Sequence, residues 1–153
     1  MKVLEFLDNN SASYEVTRHQ PTYSAQQMAA AEHVSGMEVA KPVLIKADDT
    51  YYMCVLPACR KVDLDTLKED LGVGKVELAG EEEMSKLFAD CQLGAEPPFG
   101  NLYGLETLMD ESLQVDEHIV FQAGTHDQAI KMATDDYKEL VSPQVLSFSY
   151  PDR

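Results

Sequence analysis

The chain of 153 residues has no tryptophan, only three cysteines, and twelve basic residues against twenty-seven acidic ones. Each shortage excludes something. Cys54, Cys59 and Cys91 are odd in number and lack CxxC spacing, so neither a disulfide framework nor a redox pair is indicated. No histidine stands near them in sequence to complete a zinc set. They read as buried thiols in a reducing compartment. The net charge of −15 argues against a general binder of nucleic acid, DNA included, because neutralised phosphates supply most of such affinity. No apolar run approaches the roughly 18 residues of a membrane span. The N-terminus MKVLEFLDNN also lacks the apolar core of a signal peptide, so a cytoplasmic protein without membrane contact is expected. GxSxG, the P-loop, HExxH and GxGxxG are all absent from the sequence, which removes four common routes to catalysis.

What is present divides unevenly. Residues 1–61 carry six basic and seven acidic side chains, whereas residues 62–153 carry six and twenty. A solvated acidic surface is the simplest reading of the second part. Any contact with RNA falls to the first part, where Arg18, Lys41, Lys46, Arg60 and Lys61 lie.

The pattern predicts one domain over residues 1–153, with interleaved helices and strands. MKVLEFLDNN puts Val3, Leu4 and Leu7 on one helical face. SYEVTRH (13–19) alternates as a strand does. PTYSAQQMAAAEHV (21–34) has Ser24 as an N-cap before a helix. KPVLIKA (41–47) and YYMCVLP (51–57) flank Asp48-Asp49-Thr50 as a hairpin. VDLDTLKEDLG (62–72) is a helix opened by Asp63 and closed by Gly72. A strand is predicted at KVELAG (75–80) and a helix at EEEMSKLFADC (81–91), with strands again at YGLETLMD (103–110), HIVFQAG (118–124) and AIKMA (129–133). TDDYKELV (134–141) closes the series as a helix. The fold class is therefore mixed α/β, a curved mixed sheet flanked by helices.

Three features stand above this background. Lys41, in VAKPVLIK, precedes a proline at the mouth of an apolar strand; it reads as a pocket ammonium or as a lysine snorkelling from a strand end. The stretch LGAEPPFGN (93–101) concentrates backbone-restricting residues, either as a turn or as a rigid binding wall. Glu96 within it reads as a solvated side chain. AGTH (123–126) ends a strand with backbone N–H groups and an imidazole, unless it is an ordinary polar turn.

In this order, VAKPVLIK, VLPACRKVDLDTLKEDLG, LGAEPPFGNLYGL and IVFQAGTHDQAIKM resemble the YbaK/ProX family of aminoacyl-tRNA deacylases over about residues 13–141. The Gly-x-x-x-Pro motif matches Gly94 to Pro98, the pocket lysine matches Lys41, and the late glycine turn matches Gly124. His126 resembles the histidine of the subgroup that clears alanine from proline tRNA. Thr17, where some cysteine-clearing members have tyrosine, argues against that subgroup.

The resemblance implies a freestanding editing hydrolase acting on mischarged tRNA, first of all alanyl-tRNA for proline, with no cofactor or metal. It implies prolyl-tRNA synthetase as a possible co-partner. It gives Lys41 and His126 catalytic roles and makes Gly94, Ala95, Pro97, Pro98, Gly124 and Thr125 substrate-binding. The N–H groups of Gly94 and Ala95 are expected to face an oxyanion. A bulkier residue at Gly94 is expected to cost activity far more than stability. A cysteinyl or other small-aminoacyl substrate is the alternative within the class, and a catalytically silent aminoacyl- or nucleotide-binding module the alternative outside it.

Overall fold

Two aromatic residues distant in sequence, Phe99 and Tyr137, meet at the centre of the molecule, and the elements are arranged around them. The structure, a computed structural model, describes residues 2–22 and 24–151. Five α-helices and ten strands are described in chain order: α1 (Lys2–Asn9), β1 (Tyr14–Arg18), α2 (Ala25–Ala31), β2 (Ala40–Ala47), β3 (Thr50–Pro57), β4 (Arg60–Val62), α3 (Leu64–Leu71), β5 (Val76–Leu78), α4 (Glu81–Leu87), β6 (Glu106–Asp110), β7 (His118–Gln122), β8 (Gln128–Ala133), α5 (Thr134–Val141), β9 (Gln144–Leu146) and β10 (Ser149–Pro151). Short 3-10 turns at Gly100–Tyr103 and Glu111–Val115 bracket β6.

Local chemistry sets several boundaries. The Ser24 hydroxyl accepts from the Gln27 N–H at 3.0 Å and starts α2. Asp63 accepts from the Thr66 N–H at 3.1 Å and starts α3. Gly72, at φ +66°, closes α3 in the left-handed region that glycine enters without penalty. Each satisfies a backbone group that a helix end leaves unpaired.

The fold is mixed α/β, as expected from sequence, and its strands are divided among three sheets. Five strands run in the order β5-β2-β3-β6-β9, with β3, β6 and β9 mutually parallel and the other pairs antiparallel. Three more, β1-β8-β7, are antiparallel, and β4 pairs with β10. A single parallel bridge, Val39 to Val120, links the two larger sheets. Pro42, three residues on, has no N–H with which to extend that pairing.

Period-two alternation divides the core. On β3, Met53 and Val55 face the main cluster, while Cys54 and Leu56 face a second one with Leu67 of α3. The main cluster fills the space between the two larger sheets and is centred on aromatic rings. The Phe99 ring lies 5.3 Å from that of Phe121, 5.2 Å from Tyr137 and 6.0 Å from Phe6. Cys54 is fully buried, as expected, but Cys59 and Cys91 are only partly so.

Phe99 is fully buried at that centre. Phe99→Ala is expected to destabilise the fold by about 3–5 kcal/mol, read as a lowered urea midpoint, because a cavity left among three rings cannot collapse.

Candidate active site

The loop between α4 and β6 is built as a wall, and its rigidity has traceable causes. Pro97, Pro98 and Phe99 are all buried. The buried hydroxyl of Tyr137, on α5, donates to the Pro98 carbonyl. Gly100 is required by close approach, since a Cβ there would lie 2.9 Å from the Leu105 carbonyl oxygen. The other end of the loop is clasped to the turn after β7. Gln92 N–H donates to Gly124 O, and Gly124 N–H donates to Ala95 O, both at 2.8 Å.

His126 completes this clasp. Its N–H donates to the Gln92 side chain at 2.8 Å. Its Nδ1 lies 2.7 Å from Thr22 O, and its Nε2 lies 2.9 Å from Leu93 O. The imidazole ties the loop to the segment before α2, with both ring nitrogens turned toward backbone carbonyls. Thr125 donates to Asp127 at 2.8 Å.

On the opposite side of Gly94 lies a cavity of about 150 Å³ lined by Ala25, Met28, Val39, Ala40, Lys41, Pro42, Gly94, Glu96 and Gln122. The sequence-predicted residues thus separate. Lys41 and Gly94 share this cavity, and the Lys41 ammonium donates to Ala58 O at 3.3 Å. Ala95, Pro97 and Pro98 stand behind it. Gly124, Thr125 and His126 form the clasp, with Thr125 and His126 lining a separate depression beside Pro21, Gln92 and Asp127. Of the basic residues considered for RNA contact, Lys41 alone lines the cavity, and the Arg60 guanidinium is engaged with Ser149.

Two expectations need correction. The N–H groups of Gly94 and Ala95 do not stand open. Gly94 donates to the two Glu96 oxygens at 2.8 and 3.2 Å, and Ala95 donates to Gln92 O at 3.0 Å. Glu96 is not solvated: it is 2 % exposed. Burial pushes its carboxyl above the ordinary 4.5, and the loop N–H groups and the His126 ring offset this only in part. The side chain folds back onto its own loop, where the Gly94 N–H reaches both of its oxygens.

Gln122 is the other residue that sequence reasoning passed over. It is 6 % exposed, and its Oε1 has no hydrogen-bond partner among the described residues. Its one sequence signal is a polar amide inside the apolar run HIVFQA. Among the described residues, no three His, Cys, Asp or Glu side chains cluster so as to hold a metal ion.

The aminoacyl-tRNA editing domain family matches residues 19–140. The chain is 25% identical to the "Multifunctional Ser/Thr-tRNA deacylase ProXp-y" of Escherichia coli (strain K12), covering 96% of this chain and 90% of that protein. It is 22% identical to the "Prolyl-tRNA editing protein ProX" of Acetoanaerobium sticklandii, covering 91% of this chain and 88% of that protein. It also resembles the crystal structure of a candidate trans-editing enzyme for prolyl tRNA synthetase, with a TM-score of 0.86 and 20% identity over 97% of this chain and 95% of that one. At that identity the structural likeness speaks for the fold.

Two outcomes follow from the loop. A folded-state carboxyl raised above 4.5 favours the protonated form, so its ionisation opposes folding once the pH exceeds that value. Glu96→Gln is therefore expected to raise Tm at pH 7, with a gain that shrinks as the pH falls toward 4.5. A Tm unchanged across that range would contradict the buried, ionising Glu96. Gly94, at φ +89°, is strained by any side chain, so Gly94→Ala is expected to cost about 1–3 kcal/mol of stability as well as activity.

Proposed function

We propose that this chain, which belongs to the aminoacyl-tRNA editing domain family, hydrolyses the ester joining a small amino acid to the 3′-end of a tRNA, with alanine on proline tRNA as its first substrate. The observation that carries this reading is the small cavity between Lys41 and the Gly94 loop. Its apolar wall of Met28, Val39 and Pro42 suits a methyl side chain, and its loop is held at both ends against a bulkier one.

The need for such a site is physical. A synthetase pocket that accepts proline discriminates against smaller side chains by only ~1–3 kcal/mol per methylene. A second site that admits the small residue and refuses the large one supplies the rest. An aminoacyl ester is already activated, so no protein nucleophile is needed. Water adds to the carbonyl carbon, the bond to the ribose oxygen breaks, and that oxygen takes up a proton as the amino acid leaves. A ribose hydroxyl assists the proton transfer. Lys41 supplies positive charge to the developing oxyanion or the neighbouring phosphate, because the Gly94 and Ala95 N–H groups already have partners. His126 is a positioning residue that keeps the loop in place.

A second reading takes serine or threonine as the amino acid removed, and the name of the Escherichia coli relative favours it. The acidic surface suits a weak grip confined to the 3′-end, with prolyl-tRNA synthetase holding the rest of the tRNA. A reaction on charged tRNA fits a cytoplasmic protein.

The test is a deacylation panel of proline tRNA charged with alanine, serine, cysteine or proline, with threonyl-tRNA beside it. Alanine is expected to be released fastest and proline to be spared; release of none would end the enzymatic reading. Lys41→Ala is expected to lower kcat/KM by about 10²-fold or more with Tm little changed. His126→Ala is expected to cost less activity and to lower Tm. The reverse order of activities would make the imidazole the principal catalytic group.

A further inference from the structure

Two buried polar side chains in the cavity have no role in this account of ester hydrolysis. Glu96 and Gln122 line the same small space, with exposures of 2 % and 6 %. The carboxylate and the amide oxygen are both acceptors. Gly94 N–H donates to the carboxylate from its own loop, and Gln122 Oε1 has no donor among the described residues. A buried carboxylate held off its ordinary behaviour by desolvation is stabilised by a cation, and a buried acceptor without a donor is stabilised by an N–H or O–H.

We propose that Glu96 and Gln122 together form the receptor for the α-ammonium group of the bound aminoacyl ester, so that the site takes esters of free amino acids and rejects those acylated on nitrogen. The inference rests on the editing function proposed above and names the part of the substrate that these residues hold. A primary ammonium carries one positive charge and three N–H donors, enough for a carboxylate oxygen and an amide oxygen at once. An alanyl side chain offers no donor, so its α-ammonium is the one group of the amino acid that can satisfy either acceptor. A side-chain hydroxyl would serve Gln122 but bring no charge to the carboxylate. Acylation removes the charge, two of the three donors and the available space together.

Orientation follows. With the ammonium held at the Glu96 and Gln122 side of the cavity, the carbonyl is directed toward Lys41 and the side chain toward the apolar wall of Met28, Val39 and Pro42. Peptidyl and N-formylated esters, which also end in an adenosine ester, are then excluded by chemistry as well as by size.

The test uses the whole chain and two stable probes, 3′-deoxy-3′-(L-alanylamino)adenosine and its N-acetyl derivative, with binding measured by calorimetry. The native protein is expected to bind the free amine about tenfold or more tightly, the range of a charge-assisted hydrogen bond. Glu96→Gln keeps an acceptor for Gly94 N–H, and Gln122→Leu keeps the side-chain bulk. In both, the preference is expected to fall to about twofold or less. Equal affinity of the native protein for the two probes would overturn the proposal, as would a preference retained in both variants. The deacylase reading is judged separately: failure to hydrolyse any charged tRNA, with the binding preference intact, would count against that reading and leave the receptor standing.

Discussion

The hydrogen bond from the Tyr137 hydroxyl to the Pro98 carbonyl is the constraint on which the site depends. It joins the last α-helix to the middle of the loop at a point where both partners are buried, so solvent cannot compete for either group. Beside it, Phe99 anchors the same loop among the rings of Phe6, Phe121 and Tyr137. The Gly124 ladder and the His126 clasp hold the other end. A loop fixed at both ends presents Gly94 and Glu96 to the cavity in one arrangement, as the proposed sieve requires.

The same rigidity has an energetic consequence. With the loop immobile, Glu96 cannot turn out to water, and its carboxyl is held in a desolvated place that disfavours ionisation. A protein selected for stability alone would put an amide or a small residue there. Placing an acid in the wall of a site costs stability, and such sites are where proteins tolerate that cost. Cys91 and Tyr103 lie on the far side of the loop, with burial pushing the thiol up to about 11. Both pack against the main core cluster.

Much of this was legible locally. Ser24, Asp63 and Gly72 cap helices through contacts within three or four residues, so sequence spacing locates them. The β2–β3 hairpin and the buried strand β7 followed from apolar runs. Lys41 and the Gly94 to Pro98 stretch were singled out through order and resemblance, and Lys41 and Gly94 line one cavity. What escaped depends on distant partners. Glu96 looked like a surface acid because its burial is imposed by Gly124 and His126, about thirty residues on. His126 was expected to position water or substrate, and the carbonyls of Thr22 and Leu93 that lie against its ring are invisible in its own neighbourhood. The strands β4, β9 and β10 have three residues each, too few for periodicity. β10 and the segment before it are fixed by Asp110, which accepts from Phe148 N–H at 2.9 Å and from Ser149 Oγ at 2.8 Å.

The aminoacyl group is proposed to occupy the cavity between Lys41 and the Gly94 loop, and not the depression on the other side of the clasp. A crystal structure with a nonhydrolysable alanyl ester mimic of the tRNA 3′-end tests this directly. The account predicts the alanyl methyl against Met28 and Val39, with its carbonyl within reach of the Lys41 ammonium. Density for the alanyl group beside Pro21, Gln92 and Asp127, with the imidazole of His126 turned toward it, would contradict the account.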